Sequence, residues 1–335
     1  MIPQIVRRGL PLLLLAALAG CNTVVMNPTG DIAKQQADLI VISVLLMLII
    51  IIPVMLLVVW FAWRYRKGAN AAYEPDWDHS TKLELIIWGA PLLIIIVLGL
   101  ITWVSTHKLD PYRPLDRIDA NRPLAASVKP LEEQVVALDW KWLFIYPEQG
   151  IASVNHLVTP IDVPVRFKIT SSTVMNTFYI PTLAGMIYAM PGMETELNAV
   201  LIKTGDYRGL SANFSGDGFS HMKFAYKGVT QADFDTWVKE MKTGTEVLDR
   251  ADYMVLEKPT AKEPVRHYAQ VEPALFNRIL NRCVAEGTMC MNQQMHEDHK
   301  RNEMAAAIRQ LPKDGKSMLA EALEMCVAPF NTVKK

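Results

Sequence analysis

Polar and apolar positions divide this chain into three unlike stretches. From Leu39 to Trp63 no charged residue interrupts 25 positions. At about 1.5 Å per residue such a helix is longer than the roughly 30 Å hydrocarbon core of a bilayer, so it spans with some tilt. Pro53 predicts a kink within it, and Trp60 and Trp63 stand at its end, where an aromatic belt belongs. Leu85 to Ser105 is a second uncharged run, with Trp88 and Trp103 near its ends.

The period then changes to two. "EEQVVALDWKWLFIY" (Glu132 to Tyr146) is rich in β-branched and aromatic residues. "VPVRFKITSS" alternates, with Val165, Phe167 and Ile169 on one face and Arg166 and Lys168 on the other. A Gly205-Asp206 turn leads into a strand on which Leu210, Ala212 and Phe214 are expected to share the inner face, and "HMKFAY" predicts a last strand. Short strands with frequent turn signals predict an all-β sandwich over about 125–229. "TQADFDTWVKEM" returns to a helical period. Phe234, Trp237, Val238 and Met241 form its stripe, and Thr230 with Asp233 forms a capping box that starts it.

Charge adds orientation. "RYRK" (Arg64 to Lys67) follows the first span, and basic residues beside a span mark the cytoplasmic side. The chain therefore enters from outside, turns inside and returns, which sends everything after about residue 107 to the periplasm. The N-terminus agrees independently. Arg7 and Arg8 precede an apolar run, Leu10 to Leu18, that is too short to span and has the layout of a signal peptide. It ends "LAGC", and small residues ahead of Cys21 resemble the lipobox of bacterial lipoproteins, in which the cysteine is acylated. Residues 1–20 are then a leader and 21–107 a lipid-anchored two-helix hairpin in the bacterial inner membrane. With 34 basic and 34 acidic residues, net charge gives no basis for binding nucleic acid.

Glu84 lies at the cytoplasmic edge of the second span, seven residues before Pro91. It has two readings: a snorkelling boundary group or a proton-uptake group.

Two spans followed by a periplasmic sandwich resemble subunit II of the haem-copper respiratory oxidases, whose sandwich is a cupredoxin. "DWKW" (Asp139 to Trp142) resembles the paired-Trp strand of that family. "STVMNTFYIPTLAGMIYAMPG" (Ser172 to Gly192) and "GLSANFSGDGFSHM" (Gly209 to Met222) resemble its two metal loops. The resemblance covers roughly 20–245. In cytochrome c oxidases those loops hold a dinuclear copper centre through two His, two Cys, a Met and the backbone carbonyl of a Glu. Carried over position by position, the first His falls on Asn176, the two Cys on Ser211 and Ser215, the Glu on Asn213 and the second His on Phe219. Only Met222 keeps the family residue. His221 is two residues past the ligand position and is expected on the surface.

The branch with this loss resembles the cytochrome bo-type ubiquinol oxidases, to which "FIYPEQGIA", "IYAMPGM" and "FSGDGFSHMKF" point in particular. The resemblance implies a complex that oxidises ubiquinol, reduces dioxygen to water and moves protons outward. It implies haem and copper in partner subunit I, no cofactor and no catalytic residue in this chain, smaller membrane subunits and lipid as further partners, and no cytochrome c. Two other readings stand beside it: a membrane-anchored scaffold lipoprotein of cupredoxin fold outside an oxidase, and a cytochrome c oxidase subunit with a degenerate copper centre.

Residues 246–335 read as a polar, helical C-terminal extension. Leu275, Phe276, Ile279, Leu280 and Cys283 make a stripe. With Cys21 acylated, Cys283, Cys290 and Cys326 remain, enough for one disulfide and a leftover whose pairing the spacing does not reveal. "CMNQQMHEDH" (Cys290 to His299) has two readings, a soft-metal cluster or a plain helix with incidental Met and His.

Overall fold

The computed structural model describes residues 23–69, 76–125 and 128–310. The leader, Cys21 and Cys326 lie outside the described residues.

Two long helices open the chain, α1 (Asp31–Arg64) and α2 (Thr81–Lys108), both long and apolar enough to cross a membrane. Their apolar side chains are largely exposed, as surfaces meant for lipid or a neighbouring subunit are. Helix α1 begins eight residues before the uncharged run. Its first turns are not membrane helix. They lie against the sandwich, where Ala33 and Ala37 are buried and the Asp31 carboxylate pairs with Arg117 at 2.8 Å.

The sandwich is built from ten strands: β1 (Leu131–Leu138), β2 (Lys141–Tyr146), β3 (Ile151–Val154), β4 (His156–Pro160), β5 (Pro164–Ser171), β6 (Asn176–Tyr179), β7 (Ile187–Ala189), β8 (Thr195–Val200), β9 (Gly205–Ser211) and β10 (Lys223–Val229). An eleventh, β11 (Arg266–Tyr268), comes from the C-terminal extension. One sheet has the order β8-β5-β1-β2-β3-β11 and the other β4-β10-β9-β6-β7. The pairs β1–β5 and β4–β10 are parallel and the rest antiparallel.

Between the sheets lies the main core, which includes Trp142, Phe144, Phe167, Phe178 and Phe224. Val165, Phe167 and Ile169 enter it as the alternation predicts, while Lys168 faces out and pairs with Glu132 at 3.1 Å. Helix α3 (Gln231–Lys242) closes one side, with Phe234 and Met241 buried and Trp237 at 5.3 Å from Tyr146. Its cap forms as expected: the Thr230 hydroxyl accepts from Asp233 N and donates to the Asp233 carboxylate.

One expectation needs correction. Leu210, Ala212 and Phe214 do not share an inner face. Strand β9 stops at Ser211, its buried positions are Gly209 and Ser211, and Phe214 is 74% exposed. The reason is the Phe224 ring of the neighbouring strand. It lies where a side chain on Gly209 would stand, with a Cβ there falling 1.9 Å from a ring carbon. A glycine on the inward side carries no hydropathy signal, so the apolar pattern points to the wrong face.

The C-terminal extension carries helices, as expected, and adds short strands to them. It contains helices α4 (Arg250–Leu256), α5 (Leu275–Leu280) and α6 (Met291–Gln310), but also β11 and two-residue strands at Val247–Leu248 and Gln270–Val271. This arm covers the outer face of the six-stranded sheet. There Val136, Leu138, Leu143 and Ile145 of the sheet meet Tyr253, Leu256, Tyr268, Phe276 and Ile279 of the arm in a second buried core.

Candidate functional site

The two loops singled out in the sequence meet at one end of the sandwich. Asn176 begins β6 and Ser211 ends β9, and these strands pair through Ser211 and Phe178. The second loop closes on itself where Ser211 N donates to Met222 O at 3.1 Å, and it is tied to the first where Ala212 N donates to Thr177 O at 3.2 Å. Asn176, Ser211 and Met222 are buried side by side in this way.

Their polar atoms are turned toward one another. The Ser211 hydroxyl is directed between Asn176 Oδ1 at 3.2 Å and the Asn213 carbonyl at 3.3 Å, and it accepts from Thr177 N at 3.4 Å. Asn176 Nδ2 donates to Val174 O and Asn213 Nδ2 to Met175 O. Ser215 Oγ lies 4.0 Å from the Met222 sulfur. Phe219 points to no polar atom. Its ring packs against Phe214 at 5.6 Å.

Trp140 braces the second loop. It sits in the β1–β2 turn at φ +64°, and its indole N–H donates to Ser215 O at 3.0 Å. Gly218 passes under the ring so closely that a Cβ would fall 2.3 Å from it. "DWKW" therefore divides its labour: Trp142 fills the core and Trp140 holds the loop. The sequence showed the pair but not this second task.

The donor set is one thioether, two hydroxyls and two amides. It contains no thiolate and no imidazole. Copper pairs call for soft sulfur and imidazole nitrogen, and here the Ser211 hydroxyl and the two amides are already engaged with each other and the backbone, while the Ser215 hydroxyl faces the Met222 sulfur. His221 is exposed in the short turn Phe219–His221, away from the buried Met222. The residues present do not fit a dinuclear copper centre. Among the described residues no three His, Cys, Asp or Glu side chains converge to hold a metal.

Comparison with known proteins places this geometry. The family described as cytochrome c oxidase subunit II, periplasmic domain, matches residues 140–229, and the COX aromatic rich motif matches 242–287, the arm. Cytochrome bo(3) ubiquinol oxidase subunit 2 of Pseudomonas putida is 48% identical over 297 residues, covering 88% of this chain and 91% of its own. Ubiquinol oxidase subunit 2 of Acetobacter aceti is 48% identical over 264 residues, covering 78% and 83%. Quinol oxidase subunit 2 of Bacillus cereus is 42% identical over 254 residues, covering 75% and 84%. The chain belongs to the ubiquinol oxidase subunit 2 family.

Other residues of this subunit 2 lie away from the loops. Glu84 stands in the first turn of α2, and its carboxylate lies 2.7 Å from His79 Nδ1, both side chains half exposed. His79 was not picked out from sequence, because it falls before the helix in a loop with no periodic pattern. Cys283 and Cys290 form a disulfide, with Cα atoms 4.8 Å apart. That removes the Cys290 thiolate from any soft-metal cluster at the start of α6. Met295 is exposed there, and His299 turns to Glu303 at 3.1 Å.

Proposed function

We propose that this chain is the subunit 2 of a proton-translocating ubiquinol oxidase, a quinol:oxygen oxidoreductase of the aerobic respiratory chain. In this reading it anchors and shapes the complex, while the haem and copper that carry the electrons and reduce dioxygen reside in subunit I. Membership of the family supports the assignment. The choice of donor rests on the loop end, where Asn176, Ser211, Asn213, Ser215 and Phe219, taken as the counterparts of copper ligands, bond to neighbouring protein groups or pack instead. A chain with such loops has no soft-ligand centre to accept an electron from cytochrome c. The donor is then the membrane quinol. The apolar, exposed surfaces of α1 and α2 are the natural contact with subunit I, smaller membrane subunits and lipid. The basic residues after α1 favour a periplasmic sandwich.

Oxygen uptake by the purified complex tests this reading. Ubiquinol is expected to sustain turnover, and reduced cytochrome c to give none above background. Turnover with cytochrome c at a rate comparable to ubiquinol would refute it.

Two finer roles belong to the same proposal. Cys21 is the acylated first residue of the mature chain, motivated by "LAGC"; mass spectrometry showing Met1 to Gly20 retained would reject this. Glu84 takes up protons at the cytoplasmic edge, with His79 at 2.7 Å as its relay partner. Glu84→Ala is expected to slow oxygen turnover by about tenfold or more, and Glu84→Asp by less. Full turnover in Glu84→Ala across pH would leave it a boundary group.

A further inference from the structure

One pair of titratable groups lies outside everything assigned so far. His156 opens β4, at the edge of the five-stranded sheet. His267 is the middle residue of β11, the strand that the arm adds to the edge of the six-stranded sheet. The chain brings them together across 111 residues, with His156 Nδ1 and His267 Nε2 only 3.2 Å apart. We propose that His156 and His267 form a two-imidazole site for a divalent late-transition ion, zinc(II) or copper(II), which ties the arm to the edge of the sandwich.

The spacing is the first argument. Zinc–nitrogen bonds of about 2.0–2.1 Å at tetrahedral angles place two ligand nitrogens roughly 3.3 Å apart. The pair already stands at nearly that separation. Backbone pairing sets it: His156 is registered against Ala225, and His267 against Ser153. The second argument is ligand chemistry. Imidazole nitrogen is the commonest protein ligand for such ions, and with His156 half-buried and His267 exposed the ion reaches the pair from solvent. Trp237 of α3 packs edge-on to His156 at 6.2 Å and limits its rotation. The outer side, at His267, is open to water, which completes the coordination.

Without metal, one imidazole N–H points at the other ring nitrogen. On binding, the donor ring turns slightly and its proton passes through solvent to its second nitrogen. Both facing lone pairs then reach the ion, and no net proton is released.

Zinc titration of the full-length chain in detergent, followed calorimetrically at about pH 7.5, tests the proposal. One saturable site is expected in the parent. His156→Gln and His267→Gln, each made alone, are expected to weaken it by about tenfold or more, since the loss of a ligand exceeds the loss of its outer support. Zinc should also raise the melting temperature of the parent but not of either variant. His296→Gln with His299→Gln, in the terminal helix, should bind as the parent does. Unchanged zinc affinity in a folded His267→Gln or His156→Gln variant would overturn the proposal. So would loss of the site in the His296/His299 double variant alone.

Discussion

The loops at the end of the sandwich and the arm across its outer sheet are both held to the same strands, by opposite means. The loops are fastened by small polar groups, with Ser211 between Asn176 and Asn213 and Trp140 bonded to Ser215 O. The arm is fastened mainly by apolar burial, with Tyr253, Tyr268, Phe276 and Ile279 laid over Val136, Leu143 and Ile145. Polar contacts pin it as well, among them the buried Lys141 ammonium, which donates to Lys258 O at 2.7 Å and Thr260 Oγ1 at 2.6 Å, and Asn155 Nδ2, which donates to Glu263 O at 2.9 Å. Each hydrogen bond of the loop end is worth about 1 kcal/mol net. The comparison teaches that strand pairing, small polar groups and a bracing Trp define the loop end, while apolar burial holds the arm.

The largest expected effects separate the two cores. Phe276→Ala and Phe178→Ala each remove a buried ring and should cost about 3–5 kcal/mol. They should differ in kind. Phe276→Ala is expected to loosen the arm first, so that limited proteolysis cuts between about 243 and 265 while the sandwich survives. Phe178→Ala lowers the stability of the whole domain. Identical proteolytic patterns for the two would break the distinction.

Between these extremes stands Glu133, fully buried among the inner strands with neither carboxylate oxygen hydrogen-bonded. Burial holds its carboxyl well above the usual carboxylate range, and the charge of Glu148 adds to this. The unfolded chain ionises at the ordinary value. Stability is therefore full in acid and falls as pH rises, by about 1.4 kcal/mol per pH unit while only the unfolded form is charged. Glu133→Gln removes that dependence. In thermal melts the variant should exceed the parent at about pH 7–8, and the gap should close toward about pH 4. A gap independent of pH would contradict the account.

The smallest effect belongs to the loops. Ser211→Ala removes the hydroxyl that faces Asn176 and Asn213, and should cost about 1 kcal/mol in urea unfolding. A loss as large as that of Phe276→Ala would show that the loop end depends on more than these bonds.

These contrasts also explain what could be read from the chain. The inner face of β5 is plain in the alternation of Val165, Phe167 and Ile169. The spans are plain in their lack of charge, and α3 in its stripe and cap. The outer core was half visible. "QVVALDWKWLFIY" is apolar on both faces, which means both faces are covered, but nothing nearby names the cover. It comes from beyond residue 246, where the stripe of Leu275, Phe276 and Ile279 marked one helix but the short strands beside it gave no sign of the sheet they join. Phe214 was misplaced because the true inward residue of its strand is Gly209, which is silent in hydropathy. The two loops were legible in their turn residues and spacing, and the fold brings them together at one end of the sandwich. The His156–His267 pair was not, since only the fold brings together residues so far apart in sequence.

The most direct test of the central claim is the visible spectrum of the full-length chain titrated with copper, beside a variant carrying Asn176→His, Ser211→Cys, Asn213→Glu, Ser215→Cys and Phe219→His. The parent should show none of the intense bands of copper-thiolate, because its loops offer no thiolate, while the variant should become coloured as a mixed-valence pair forms beside Met222. Such bands in the parent, with two coppers bound, would contradict the account and remove the main support for quinol as the donor.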